Sequence, residues 1–121
     1  MYIGQLSKIT GVSVRNIRHY ENLGLITSSG ADEHFRTYQD SDIHTVKMIK
    51  MALSVGIKLR DILDIISTNG AVPMVERANG LLDKRAMELA VAIKELHHQR
   101  EIVDRLKRQL ISTSGRLEQQ S

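Results

Sequence analysis

The chain has 121 residues, room for one domain or one domain with an appendage, and its 41% apolar and 26% charged residues exclude wholesale disorder. It contains no cysteine, which rules out a disulfide scaffold, a thiolate metal site and a thiol redox sensor within this chain. The net charge is a mild +3, so a nucleic-acid role has to rest on where the charges sit and not on a basic average.

Roughly residues 1–70 read as short elements broken by turn residues. Ile3, Leu6 and Ile9 share one side of a short helix, and Gly11 follows as a helix end or tight turn. Ser13 is a good N-cap for a second helix. There Val14 and Ile17 lie on one face, while Arg15 and Arg18 share another, with Ser13, Asn16 and His19 between and beside them. Helix, glycine turn, helix matches the helix-turn-helix pattern, whose second helix enters the major groove. Guanidinium groups on its open face are the usual readers of guanine edges and phosphates. Tyr20 is either plain core or, as the favoured expectation, a packed ring whose hydroxyl reaches a phosphate.

A turn-rich stretch, Thr27 to Glu33, precedes His34-Phe35-Arg36-Thr37-Tyr38, which alternates aromatic with polar and is β-prone. The expectation is a two-stranded hairpin, or wing, that places Arg36 and Tyr38 on the surface. Asp40 or Ser41 is expected to cap a third helix with Ile43, Val46, Met48, Ile49, Leu53 and Val55 as its apolar stripe, ended by Gly56. Lys58 sits in the short link before a fourth helix carrying Leu59, Ile62, Leu63, Ile65 and Ile66 and ending near Asn69-Gly70.

The second half reads as one long helix. Pro73, the single proline, lies where a first helical turn tolerates it. Val75, Leu82, Leu89, Leu96, Val103 and Leu110 recur every seven residues, and Ala86 and Ile93 fill the alternate seam position, a coiled-coil signal. Arg100 and Lys107 occupy that alternate position further on, where Ile102 and Leu106 take over the apolar face. A helix over 73–112 is on the order of 60 Å long, so its seam predicts a partner helix, most simply from a second copy. Residues 113–121 are expected to be a polar flexible tail. No apolar run approaches the ~18 residues of a membrane span. The opening MYIGQLSKIT lacks the charged start and apolar core of a secretory signal, so the expected location is the cytoplasm.

The stretch Ile3 to Ile26, with its Arg15-Asn16-Ile17-Arg18-His19-Tyr20-Glu21 string, closely resembles the start of the MerR family of bacterial transcription regulators. Phe35-Arg36-Thr37-Tyr38 resembles that family's wing motif, Asp42-Ile43 the opening of the next helix, and Gly56 to Ile62 the second wing and fourth helix. With the long helix, the likeness covers about 110 residues. It implies a mainly α fold: a winged helix-turn-helix domain (1–70) followed by a dimerisation helix (71–112) in an antiparallel coiled coil.

The resemblance also implies a homodimer on a palindromic operator in double-stranded promoter DNA with an overlong spacer. Such a dimer activates by bending and untwisting that DNA for RNA polymerase, its indirect partner, at a deformation cost of a few kcal/mol offset by protein contacts. By position, Ser13, Arg15, Arg18 and Tyr20 match the family's recognition-helix contacts, Arg36 and Tyr38 its first wing, and Lys58 its second.

Departures from the family accompany the match. His34-Phe35 stands where many members carry Gly-Tyr. Metal-sensing members place cysteines near the start of the dimer helix or after it. Here Val75 to Asn79 and Ser112 to Ser121 offer no soft ligand. The expected member is therefore a regulator without a thiolate-bound metal and without the ligand-binding domain that larger members append. A small-molecule effector among Met74, Ile57 and Leu81 is a further, weaker expectation. His97 and His98 point about 100° apart and cannot chelate one ion together. Met48, Met51, Met74 and Met87 read as gap fillers and not as a copper site. No nucleophile set, phosphate loop or carboxylate pair suggests an enzyme. The alternatives are an effector-independent repressor or architectural DNA-binding protein, and a coiled-coil adaptor for protein partners.

Overall fold

The computed structural model describes the backbone of residues 1–30, 36–67, 70 and 72–119, with side chains as far as 115. Five helices follow one another: α1 (Ile3–Thr10), α2 (Val14–Asn22), α3 (Asp40–Ser54), α4 (Leu59–Ser67) and α5 (Met74–Gln119). Among the described residues, β pairing is confined to two antiparallel bridges that share Thr37, one to Tyr2 and one to Ser29. His34 and Phe35, the first two residues of the expected hairpin segment, lie outside the described residues.

The chain forms two compact units, Met1–Gly80 and Leu81–Ser121. The first takes in the opening turns of α5, so its boundary falls ten residues beyond the 70/71 division suggested by the sequence. Its core is one cluster centred on Leu6 from α1, Ile17 from α2 and Val46 from α3, all fully buried. Each such side chain contributes roughly 1.5–3 kcal/mol of burial. Of the expected α1 stripe only Leu6 is buried; Ile3 is half-buried against the cluster and Ile9 is exposed. The helix C-terminus is sealed by polar contacts: Thr10 Oγ1 donates to the Leu6 carbonyl at 2.8 Å, and Lys50 Nζ donates to the Thr10 carbonyl at 3.3 Å.

Two helices end on the same device. After α2, the Gly24 amide bonds the Glu21 carbonyl at 2.9 Å and the Leu25 amide bonds the Tyr20 carbonyl at 2.9 Å. After α3, Gly56 bonds Leu53 at 3.1 Å and Ile57 bonds Ala52 at 3.1 Å. Gly24 and Gly56 carry φ of +81° and +88°, the left-handed turn this Schellman pattern needs. In each case the next residue, Leu25 or Ile57, is delivered into the interior. At the start of α3 the capping residue is Gln39, not Asp40 or Ser41: its amide donates to Asp42 Oδ2 at 2.8 Å.

The α5 helix runs to Gln119, so residues 113–119, expected as a polar tail, have helical backbone. The Pro73 carbonyl accepts the Arg77 amide at 3.2 Å, which places the proline just before the first turn. Every residue assigned to the seam is exposed in the single chain: Val75, Leu82, Leu89, Ile93, Leu96, Val103, Leu106 and Leu110 range from 40% to 69%, and Ala86 is exposed as well. Among the described residues no helix is long and apolar enough to cross a membrane.

Candidate nucleic-acid interface

The geometry starts at Ser13. Its backbone is extended and its Oγ accepts the Asn16 amide at 3.1 Å, an N-cap of the kind that stabilises a helix by about 1 kcal/mol. With α2 started there, Ile17 and Tyr20 turn inward and are buried. Arg15, Asn16, Arg18 and His19 are left exposed, and with Val14 and Asn22 they line one open groove along the helix. Four of the residues expected to touch DNA therefore form a continuous face, with Ser13 at its head.

Arg18 also borders a small cleft with Ile3, Arg36 and Tyr38, which brings the α2 face and the Arg36–Tyr38 segment together. Arg36 is half-buried and pairs through Nη1 with Glu21 Oε2 at 3.4 Å. The same carboxylate oxygen accepts from Tyr38 Oη at 2.8 Å, and Ser28 Oγ donates to Oε1. Burial alone opposes ionisation of Glu21. The hydrogen bonds from Ser28 and Tyr38 and the charge of Arg36 outweigh it and hold the carboxyl below its usual range.

One expectation needs correcting. Tyr38 is not a surface residue of a wing: it is 4% exposed, with its hydroxyl turned onto Glu21. Burial, followed by the Glu21 hydrogen bond and charge, pushes its phenol from 10.0 up to about 12. Tyr20 is 5% exposed and its pKa is raised by burial, in keeping with the packed ring expected of it. Lys58 is exposed, as expected, but lines neither the groove nor the cleft. Its carbonyl starts α4 by accepting the amides of Asp61 at 3.0 Å and Ile62 at 3.3 Å.

Glu21 and Ser28 join the site without having been expected there from local sequence pattern. One signal was available for the first: Glu21 is the next-to-last residue of α2, where the negative end of the helix dipole disfavours an anion. A carboxylate there implies donors from elsewhere in the fold.

A family model described as "MerR HTH family regulatory protein" matches residues 1–69. The chain belongs to the MerR family. Among MerR relatives, the HTH-type transcriptional regulator HmrR of Sinorhizobium medicae is 38% identical over 68 residues, which is 55% of this chain and 46% of that protein. The ZntR homolog of Haemophilus influenzae is 32% identical over 114 residues, 93% of this chain and 84% of that protein. The chain thus spans just under half of the first relative and most of the second. Among solved structures, the N-terminal part of the Bacillus subtilis multidrug transporter activator, MtaN, superposes with a TM-score of 0.63 at 23% identity, covering 87% of this chain and 95% of that one. That likeness shows a shared fold: a helix-turn-helix domain continued by a long helix. The MerR relatives bear the names of transcription regulators, not of enzymes.

Proposed function

We propose that this MerR-family chain regulates transcription by binding double-stranded promoter DNA as a homodimer. The observation that carries this is the exposed α2 face, Arg15, Asn16, Arg18 and His19, with Arg36 beside Arg18. Guanidinium groups on such a face serve both guanine edges and phosphates. A mild net charge is compatible with binding if a few placed arginines are doubled by a second copy.

The second copy accounts for the exposed seam of α5. Apolar residues at heptad spacing over many turns are stable in water only when covered. Two copies related by a two-fold axis would read an inverted repeat. Activation would follow the family's route, in which the dimer holds promoter DNA bent and untwisted for RNA polymerase. This chain itself offers no thiolate to a metal signal, because it has no cysteine.

The test is selection of duplexes from a random-sequence pool, followed by sedimentation of the complex. An enriched inverted repeat bound by two chains is the expected result. Recovery of duplexes with no common sequence, or a complex with a single chain, would overturn it.

A further inference from the structure

The Glu21 carboxylate has more partners than a lone surface acid, and all of them come from outside its own helix. Ser28 precedes one partner of the Ser29–Thr37 bridge, while Arg36 and Tyr38 flank the other. One carboxylate at the end of α2 therefore grips both sides of that pairing. Its position is locally unfavourable for the helix, which points to a tertiary purpose. Its side chain is 14% exposed, against 36% for Arg36, so the cation and not the anion faces outward.

We propose that Glu21 is a positioning residue for DNA binding: it holds Arg36 beside Arg18 so that the Arg36 guanidinium meets the phosphodiester backbone already in place. The inference rests on the DNA-binding reading above. A guanidinium carries five N–H donors, so one Nη1 contact to Glu21 is compatible with a second anion on the same group. Holding Arg36 in place before DNA arrives removes the ordering cost that a free arginine side chain bears on binding. The chemistry recognised is a phosphate of the duplex, and the gain depends on Arg36 being present.

A double-mutant cycle reads that dependence. Glu21→Gln, Arg36→Ala and the pair are titrated with the duplex that the parent selects from a random-sequence pool, with thermal unfolding followed in parallel. Glu21→Gln is expected to weaken binding about tenfold in the parent and to have no further effect once Arg36 is alanine. Equal weakening in both backgrounds, or none in either, overturns the proposal, because a residue acting only through the fold would not distinguish them.

A DNA-free measurement on the parent decides the same point if Glu21→Gln does not fold or if the parent selects no duplex. Guanidinium rotation by nitrogen NMR is expected to be slow for Arg36 and fast for exposed Arg15. Equally fast rotation of the two overturns the Glu21–Arg36 hold. A slow Arg36 in a chain that selects no DNA upholds the hold and removes the function proposed for it.

Discussion

Arg77, in the first turn of α5, reaches back to the end of α4: its Nη2 donates to the Ile65 carbonyl at 2.7 Å. Its Nη1 donates to the Val72 carbonyl in the connection between the two helices. The last carbonyls of a helix have no partner within it, and a cation there also complements the dipole. One side chain thus joins α4, the connection and α5 in the first unit. Replacement by methionine keeps the stem and deletes the donors. Arg77→Met is expected to lose about 1–3 kcal/mol in urea unfolding of the chain. A loss below a few tenths would show that water replaces the guanidinium without cost.

Arg18 stands where the α2 groove meets the cleft shared with Arg36. Arg18→Ala is expected to weaken binding to the selected duplex by about 1–3 kcal/mol if the side chain reads a base. If it contacts only phosphate, the salt dependence of binding flattens by about one unit instead. Fluorescence anisotropy titrations at several salt concentrations separate these outcomes. Unchanged affinity and slope together would remove Arg18 from the interface.

Glu21 and Tyr38 make stability depend on pH at both extremes. The folded-state pKa of Glu21 is depressed, so its contribution is present above the ordinary carboxylate range and is lost as pH falls through the lower folded value. The Tyr38 value is raised from 10.0 to about 12, so its contribution is complete below pH 10 and is lost between 10 and 12. Ultraviolet titration of the tyrosinates, run with circular dichroism, is expected to show Tyr38 ionising near the point of alkaline unfolding. Glu21→Gln should move the acid midpoint, and an unmoved midpoint would mean that the carboxylate shift does not couple to folding.

Gly24 isolates a backbone effect. A Cβ there meets nothing within 4 Å, yet φ is +81°. Gly24→Ala is therefore expected to cost roughly 1–2 kcal/mol from conformation alone. Denaturant unfolding checks this. A neutral result would mean that the α2 end relaxes out of its left-handed turn.

On α5, Leu89 and Leu96 lie on the exposed seam at 40% and 63%. Leu89→Glu with Leu96→Glu places carboxylates where the proposed partner helix packs. Sedimentation equilibrium is expected to find a monomer at concentrations where the parent is a dimer, with DNA affinity falling accordingly. A variant that remains dimeric would place the contact elsewhere.

Much of the fold is legible in the sequence because local signals agree there. Ser13, Gly11 and the Arg15–Arg18 spacing mark the two helices and the open face of the second, and the seven-residue repeat marks α5. The α5 end differs from the expectation because a polar run such as 112–119, with Gly115 in it, reads as a frayed end, yet it holds no proline and the helical backbone continues through it. Tyr38 departs from its expected surface position for a different reason. Alternation shows that residues of a β-prone segment face opposite ways, but not which way is inward. Tyr38 faces inward because Glu21, far off in sequence, supplies its acceptor. That acceptor also ties Arg36, so this half of the candidate site is a tertiary feature with no local spacing of its own.

The bridge at Thr37 bears on how copies of the chain meet. Thr37 exchanges backbone bonds with Ser29 at 2.8 and 2.9 Å, and on the other side Tyr38 exchanges bonds with Met1 at 2.7 and 3.0 Å. Extended backbone with an open edge is a template on which another chain can add a strand, the usual start of edge-to-edge aggregation. The Thr37–Tyr38 stretch is occupied on both edges. A second chain therefore finds no free backbone at Thr37 and Tyr38 on which to add a strand, so the β-paired segment closes on its own chain.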